Sequence, residues 1–474
     1  MGYIIFALLL AAVHVGLWKL FVKAGRPGWE SLVPIYREFV IAKLVGRPQW
    51  WIALLLVPLV NIFVFFGLYL DFVKSFGKRR FWEYAATILA PFLILPIWGN
   101  DPSVVYLGQS ASPEFRQKYP YRKSVAREWA DAIVFAVVAA TLIRGFLIEA
   151  YVIPSGSMEK SLLVGDFLFV SKVNYGPRVP MTPVAFPFAH HSMPITGTKA
   201  YWEGIKVGYK RLPGFQEIKR DDVVVFNYPM EADEPYNRPV DKRENYIKRA
   251  IGIPGDTLVI RDAQVIVNGS PGVNPPRMQM DYFVYTDGTA LNPQRLHDMR
   301  IEWGSFPGAP YYHLFMTEEQ LKEVESWPIV TKVEPRVFTA DTPDPSTFPK
   351  SGLHPWNIDN MGPVIVPKKG WTVSLDSLTF PIYERAISIY EGNEVEQRTD
   401  GYYINGSKAD TYTFVMDYYW MMGDNRHNSL DSREWGFVPE DHIVGKALFV
   451  WLSWDKDGSF LSKIRWNRIF MGIK

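Results

Sequence analysis

Three short segments of the sequence carry side chains of the types and spacing that hydrolysis requires. Residues 153–158 (IPSGSM) place Ser157 on a glycine-containing bend directly after an apolar run. Residues 246–256 (YIKRAIGIPGD) hold Lys248 between apolar residues, and residues 422–437 (MGDNRHNSLDSREWGF) form a turn rich in Asp and Asn. A serine hydroxyl is a weak nucleophile until a neighbouring base takes its proton. The identity of that base therefore decides which chemistry the sequence predicts.

Lys248 is the base that the residues favour. A free lysine titrates near pH ~10.4 and is protonated at neutral pH. Burial among apolar groups beside the cationic Arg249 would lower its pKa, because both penalise the charged form. We therefore expect Lys248 to be neutral often enough to accept a proton from Ser157.

Two other bases remain open from the residues alone. Ser157 and Lys160 have the S-x-x-K spacing of penicillin-binding proteins and class A β-lactamases, but the S-D-N and K-T-G motifs of those enzymes do not occur in the sequence. A Ser-His-Asp triad of Ser157, His427 and Asp424 is also possible, since His427 lies inside the third segment.

The third segment is expected to orient a site. Ser429, Asp431 and Arg433 can form a buried polar network, and Asp–Arg pairs hold a site rigid when they are fully hydrogen-bonded. The surrounding Asp and Asn side chains are typical of turns, where they bond their own backbone.

The composition excludes several classes of protein. The chain has 474 residues, with 51 Lys and Arg against 49 Asp and Glu, so bulk positive charge cannot hold it to nucleic acid. It has no cysteine, which excludes disulfides, cysteine-based metal sites and a cysteine nucleophile. Neither a cofactor nor a metal is expected, and no nucleic-acid partner.

Apolar residues are concentrated in the first 150 positions and predict a multi-span α-helical membrane region. Residues 1–128 contain apolar segments at 3–18, 51–70 and 82–98, and residues 129–153 form a fourth that we interpret as an anchor helix. The third segment is short and interrupted by prolines, so a re-entrant form is an alternative. With four spans, the basic loops 23–50 and 99–128 lie inside, but the basic loop 71–81 lies outside, which conflicts with the positive-inside rule.

The remainder of the chain predicts a mainly-β catalytic domain. Short β-rich runs separated by Asn-Gly and Gly-Asp turns indicate antiparallel hairpins over 154–269 and 363–474. Residues 270–362 are predicted to form an inserted, cap-like region containing a helix at 317–326, whose first turn is acidic. A second insertion is predicted at 176–219.

Taken together, the motifs resemble bacterial type I signal peptidase (leader peptidase), a membrane-anchored serine protease with a Ser/Lys dyad. The resemblance rests on four boxes in order: P-S-G-S-M after a span, R-D-D-V-V-V-F, Y-I-K-R-A-I-G-I-P-G-D, and G-D-N-R-x-N-S-x-D-S-R-x-W-G-F-V-P. It implies that Ser157 is the nucleophile and Lys248 the general base. It also implies that Ser155 and the backbone N–H of Ser157 form the oxyanion hole.

The resemblance extends to orienting and substrate-binding residues. It implies that Ser429 orients the lysine and that Asp431 and Arg433 support the site. Shallow pockets for small substrate residues are implied to be lined by Tyr151, Ile153 and Ile247.

The implied function is removal of signal peptides from exported preproteins after small residues of the Ala-x-Ala type, through an acyl-enzyme. The implied partners are preproteins, the lipid bilayer and the secretion machinery. The implied location is the bacterial inner membrane, with several spans and an extracytoplasmic catalytic domain. Two positions depart from the family: Met-Glu-Lys-Ser follows the nucleophile instead of Met-x-Pro-Thr, and His427 replaces Asp. The alternative is an inactive membrane scaffold or binding protein that retains a protease-like domain.

Overall fold

The structure is a computed structural model that describes residues 2–58, 60–306, 308–456, 458 and 463–473. The chain divides into two compact units, Met1–Ala139 and Ala140–Lys474.

The first unit is helical. Its α-helices are α1 (Gly2–Lys23), α2 (Tyr36–Val45), α3 (Val60–Lys74), α4 (Phe81–Leu89), α5 (Pro91–Asn100), α6 (Pro113–Lys118) and the first part of α7 (Val125–Phe146), with 3-10 helices at Gly28–Leu32 and Gln49–Leu56. α1 and α5 pack closely, because Gly16 has no side chain where a Cβ would lie 2.5 Å from the Leu95 carbonyl carbon. Leu17, Phe21 and Phe72 are fully buried in the core of this unit.

The predicted multi-span region is not confirmed. Among the described residues, one helix, α7, is long and apolar enough to cross a membrane. Residues 51–70 are not one helix: a 3-10 helix ends at Leu56, and α3 has only 15 residues. Pro58 lies between them, and a proline interrupts a helix because it lacks the backbone N–H.

The third apolar segment is bent, as its prolines indicated. α4 and α5 meet at an angle of 117°. Ala90, which joins them, has φ −137° and ψ 51°, because the residue before a proline avoids the helical region. This pair is either a broken span or a re-entrant segment.

The boundary of the fourth segment was wrong at its C-terminal end. We predicted an anchor helix over 129–153, but α7 ends at Phe146 and strand β1 occupies Ile148–Val152. β1 pairs with β2 (Asp166–Ser171), Ile148 opposite Ser171 and Val152 opposite Phe167. Ser157 therefore follows a strand and not a membrane helix.

The second unit is mainly β, which confirms the predicted mainly-β fold with antiparallel sheets. Its principal sheet has the order β1-β2-β20-β3-β4-β18-β19, with β21 paired to β20 and all partners antiparallel. The strands added here are β3 (Val223–Asn227), β4 (Asn245–Gly252), β18 (Tyr418–Met422), β19 (Val438–Pro439), β20 (Ile443–Ser453) and β21 (Met471–Gly472).

Smaller sheets flank the principal sheet. One sheet contains β5 (Thr257–Arg261), β6 (Gln264–Val267), β7 (Ser270–Pro271) and β12 (Met361–Ile365). A second sheet pairs β13 (Thr372–Ser374) with β17 (Thr411–Thr413). A third contains β14 (Val395–Arg398), β15 (Gly401–Ile404) and β16 (Ser407–Lys408). Helix α10 (Phe380–Arg385) precedes β14, and α11 (Ser432–Trp435) precedes β19.

The region 270–362 contains a sheet of its own. Its elements are β8 (Met280–Thr286), α8 (Pro293–Asp298), β9 (Glu302–Ser305), β10 (Tyr311–Met316), α9 (Glu318–Glu325) and β11 (Val330–Pro335). The helix predicted at 317–326 is confirmed: Thr317 caps α9, and its side chain accepts a hydrogen bond from the Gln320 N–H. Val284, Leu296 and Leu314 are buried in a separate core.

Candidate active site

Ser157 lies in a single turn of 3-10 helix, Gly156–Met158, between β1 and β2. Two backbone hydrogen bonds fix the approach to this turn: Ile153 N–H donates to the Asp166 carbonyl, and Gly165 N–H donates to the Ile153 carbonyl. Met158 is fully buried below the turn, while Ser157 is half-buried. The turn therefore anchors the backbone and leaves the hydroxyl accessible.

Lys248 on β4 reaches this hydroxyl. Its Nζ lies 2.6 Å from Ser157 Oγ and donates to the Ile247 carbonyl at 3.1 Å. Lys248 is only 4% exposed. Burial lowers its pKa to about 8, although Asp431 and Asp424 act in the opposite direction. The pair therefore has the contact and the protonation balance that a Ser/Lys dyad requires.

The prediction that Arg249 is the cation that helps to lower the pKa of Lys248 was wrong. Adjacent residues of a strand point to opposite faces, and Arg249 points away from Lys248 to Asp424. The guanidinium and carboxylate form two hydrogen bonds, Nε–Oδ1 at 2.8 Å and Nη2–Oδ2 at 2.6 Å. The cation that contributes to lowering the pKa of Lys248 is Arg433, after burial as the main cause.

Lys160 forms no hydrogen bond with Ser157 among the described residues. Its Nζ donates to the backbone carbonyls of Met299 and Arg300 in the inserted region. Burial also lowers its pKa to about 8. Because both lysines have a pKa of about 8, the pKa values do not distinguish them as candidate bases. The hydrogen bond to Ser157, which only Lys248 forms among the described residues, distinguishes them.

The possible histidine triad is not assembled. His427 Nδ1 accepts from the Asp281 N–H at 3.2 Å, and its Nε2 lies 3.0 Å from Asp359 Oδ1. Asp424 is paired with Arg249. His427 therefore joins the third motif to the inserted region, and it cannot serve Ser157 in this arrangement.

Asp431 and Arg433 form a buried ion pair at the base of the site. Arg433 donates from Nε to Oδ1 at 2.9 Å and from Nη2 to Oδ2 at 2.8 Å, and the Gly423 N–H donates to Asp431 Oδ2 at 3.0 Å. Arg433 and these hydrogen bonds hold the pKa of Asp431 below its usual range, despite the opposing effect of burial. The pair fixes the turn that begins at Gly423.

Asn425 is a site residue that the sequence reasoning missed. Its side-chain Nδ2 donates to the Gly156 carbonyl at 3.1 Å, and its backbone N–H donates to the Ser157 carbonyl at 3.1 Å. The third motif thereby holds the Gly156–Met158 turn directly. The Asn of the G-D-N motif was visible in the sequence. Its hydrogen-bond partner, Gly156, lies 269 residues away in the chain, so the contact could not be predicted from the motif.

Neither Ser429 nor Ser155 forms a hydrogen bond with Lys248 among the described residues. Ser429 Oγ is buried without a hydrogen-bond partner there, so the expected bond to Lys248 is not formed. Ser429 Oγ instead lies against the backbone of Gly423, where a Cβ would come within 2.2 Å of it. Ser155 is exposed at the start of the 3-10 turn, two residues before Ser157.

The residues expected to form substrate pockets belong to one apolar cluster. Ile153 is 3% exposed and packs in this cluster with Met158, and the partly buried Tyr151 and Ile247 pack against it. The cluster lies directly beside the nucleophile turn. The described residues contain no group of three or more side chains able to hold a metal ion.

Curated proteins from several bacteria resemble this chain. Signal peptidase I of Buchnera aphidicola (subspecies Acyrthosiphon pisum) is 28% identical over 339 residues, which cover 70% of this chain and 77% of the relative. Signal peptidase I of Haemophilus influenzae is 26% identical over 372 residues (74% and 77%), and that of Pseudomonas aeruginosa is 25% identical over 338 residues (69% and 72%).

Two family models match different parts of the chain. One is a family of unknown function, which matches residues 29–109 in the helical unit. The other is signal peptidase, peptidase S26, which matches residues 126–301 and 390–454, slightly more than half of the sequence. These segments contain Ser157, Lys248 and the whole third motif, so the chain belongs to the peptidase S26 family of signal peptidases.

Proposed function

We propose that this protein is a signal peptidase I that removes signal peptides from exported preproteins, with Ser157 as nucleophile and Lys248 as general base. The observation that carries the proposal is the 2.6 Å contact between Lys248 Nζ and Ser157 Oγ at a buried position. The inactive-scaffold alternative is not favoured, because both members of the dyad are present and in contact.

The proposed chemistry is acyl transfer. Neutral Lys248 takes the Ser157 proton as Oγ bonds to the scissile carbonyl carbon, and the oxyanion accepts hydrogen bonds from the Ser155 hydroxyl and the Ser157 N–H. The C–N bond then breaks as the Lys248 ammonium protonates the leaving amine. Lys248 then takes a proton from a water molecule, whose oxygen attacks the ester carbonyl carbon. As the bond from that carbon to Ser157 Oγ breaks, the Lys248 ammonium gives the proton to Oγ. Asp431 and Arg433 are proposed to support the site through their ion pair and the bond from the Gly423 N–H, and Ser429 through its packing against Gly423.

Substrate selection is proposed to depend on the apolar cluster beside the nucleophile turn. Tyr151, Ile153 and Ile247, which belong to one apolar cluster, are proposed to line pockets that accept small side chains, as an Ala-x-Ala cleavage site requires. β1 ends the principal sheet, so one edge of this strand has no partner strand within that sheet. An extended preprotein segment is proposed to lie along that edge.

Ser157→Ala is expected to abolish cleavage of a preprotein that carries an Ala-x-Ala site. The variant removes the only atom that can form the acyl-enzyme and adds no bulk, so folding is expected to be retained. The measurement is gel-based cleavage by purified wild type and variant in detergent. A folded wild type that leaves several such preproteins uncut would overturn the proposed function.

The rate is expected to depend on the protonation of Lys248. With a pKa of about 8, the fraction of neutral base falls about tenfold for each pH unit below that value, and kcat/KM should fall with it. It should level off above pH 8. A pH–rate profile of the wild type measures this, and Lys160→Met should leave the midpoint unchanged. A profile that is flat between pH 5 and pH 8 would rule out Lys248 as the base.

We also propose a membrane topology that removes the conflict over the basic loops. Residues on both sides of the second apolar segment touch: Arg47 lies 2.6 Å from Asp71. Lys78, which precedes the third segment, lies 5.2 Å from the ring of Trp98 near its end. A segment whose ends meet returns to the side from which it started.

Under this topology both middle segments are re-entrant. In this proposal α7 is one span, and α1 is a second, on the ground that residues 3–18 carry no charge. The loops at 23–50, 71–81 and 99–128 then all lie on the cytoplasmic side, as the positive-inside rule favours. The catalytic domain, proposed at 154–269 and 363–474 with 270–362 inserted, lies outside the cytoplasm in contact with the secretion pathway. The bacterial inner membrane remains the proposed location.

Cysteine labelling tests the topology directly, since the chain has no cysteine of its own. Lys322→Cys in the inserted region is expected to react with a membrane-impermeant maleimide on intact spheroplasts. Lys78→Cys and Gln117→Cys are expected to react only after permeabilisation. Labelling of Lys78→Cys from outside would restore the four-span arrangement.

A further inference from the structure

A cavity in the helical unit carries strong positive charge. Its volume is about 730 Å³, and six of its lining side chains are cationic: Arg47, Lys74, Arg79, Arg116, Arg122 and Lys123. A single carboxylate, that of Asp71, lines it with them. Such an imbalance in a partly enclosed space favours an anionic occupant.

Only part of this charge is neutralised within the protein. Asp71 pairs with Arg47 at 2.6 Å and lies 3.8 Å from Lys74, and Asp131 pairs with Lys123 at 2.6 Å. The other three cations, Arg79, Arg116 and Arg122, form no ion pair with any residue that the structure describes. An anion entering the cavity would therefore meet unpaired guanidinium groups.

Arg79 is the most constrained of these cations. Its Nη1 donates to the Tyr119 carbonyl at 2.7 Å, and its guanidinium lies 5.0 Å from the ring centre of Phe115. Its Nε is buried and has no hydrogen-bond partner among the described residues. A buried donor without a partner is costly, and an anionic oxygen would satisfy it.

The remaining walls of the cavity are apolar and aromatic. Trp51, Phe63, Val64 and Leu70 line it together with the cations. A small inorganic anion would use the charge and leave these walls without contacts. An amphiphile, with a phosphate group and a hydrocarbon chain, would use both.

From this geometry we infer that the cavity binds an anionic phospholipid, with its phosphodiester beside Arg79 and Arg116 and an acyl chain against the aromatic wall. Arginine suits phosphate because its planar donors can form two parallel hydrogen bonds to it. The site lies in the unit that matches the family of unknown function and does not depend on the proposed peptidase activity. It is a second membrane interaction, separate from the spans.

The test measures lipid binding to the purified full chain after delipidation in detergent. Native mass spectrometry would titrate phosphatidylglycerol and phosphatidylcholine with identical acyl chains. We expect one tightly retained phosphatidylglycerol, bound at least about tenfold more strongly than phosphatidylcholine, since charge-assisted hydrogen bonds are the strong ones. Equal retention of the two lipids would overturn the inference.

Matched variants locate the site. Arg116 lines the cavity and Lys118 does not, although both are exposed on α6. Arg116→Gln and Arg79→Gln are expected to remove most of the preference for phosphatidylglycerol, whereas Lys118→Gln should retain it. Equal loss in Arg116→Gln and Lys118→Gln would show a general charge effect and overturn the site.

Two further readouts keep the outcome interpretable. Thermal unfolding checks that each variant folds. Because Arg116 is exposed, Arg116→Gln is expected to fold and can test the site even if Arg79→Gln does not fold. Inorganic phosphate is the competitor. Displacement of phosphatidylglycerol by phosphate at equal concentration would overturn the inference that the ligand is a lipid and would indicate a soluble phosphate compound. Retention of phosphatidylglycerol supports the inference.

Discussion

Lys248→Ala is expected to lower kcat for preprotein cleavage by about 10²–10⁴-fold, the usual contribution of a general base. The substitution removes the amine that lies 2.6 Å from Ser157 Oγ and replaces it with a methyl group that cannot accept a proton. KM is expected to change little, because Lys248 is buried below the nucleophile and contributes mainly to the chemical step. Steady-state kinetics on a preprotein with an Ala-x-Ala site provide the measurement.

The matched control is Lys160→Ala. Lys160 also has a pKa lowered to about 8 by burial, and it is only three residues from the nucleophile in sequence. Its amine nevertheless donates to carbonyls of the inserted region, so its loss should change kcat by less than about tenfold, well below the loss of a general base. Cleavage that survives Lys248→Ala and disappears in Lys160→Ala would mean that the wrong lysine was assigned.

Asp431→Asn is expected to destabilise the catalytic unit by about 3–5 kcal/mol, the cost of removing one partner of a buried ion pair. The side chains of Arg433 and Asp431 are 3% and 0% exposed, so the guanidinium would be left charged in a site that water does not reach. The bond from Gly423 N–H to the carboxylate would also be weakened. Denaturant unfolding followed by tryptophan fluorescence measures the loss.

An exposed pair provides the control for this prediction. Arg398 and Glu396 lie 2.6 Å apart, close to the 2.8 Å of the buried pair, but both side chains are 48% exposed. Glu396→Gln is therefore expected to change the free energy of unfolding by less than about 1 kcal/mol. Similar losses in the two variants would mean that burial does not govern the strength of the Asp431–Arg433 pair.

Local sequence patterns predicted much of the fold. Asn-Gly and Gly-Asp turns between short β-rich runs indicated antiparallel hairpins, because the turn chemistry and the strand period are both local properties. The acidic first turn of the run at 317–326 predicted helix α9 for the same reason. The four motifs, in their order, identified Ser157 and Lys248 through resemblance to a family.

Other features could not be read from local patterns. Residues 51–70 have the hydropathy of a span, but hydropathy does not register the break at Pro58, and α3 is too short to cross a bilayer. The apolar run after Phe146 looked like a continuing helix. It became β1 because β2 and the rest of the principal sheet provide a pairing partner there.

By itself the sequence determined which residue types were available for chemistry, where many of the turns and some of the strands lie, and that the chain resembles a Ser/Lys peptidase. Only the tertiary structure placed the amine of Lys248, and not that of Lys160, on Ser157 Oγ, directed Arg249 to Asp424, and bonded Asn425 to the Gly156–Met158 turn. Ser157 and Lys248 are 91 residues apart in the chain. Contacts over such separations depend on how the strands of a sheet pair and which face each side chain occupies, and no local pattern encodes that.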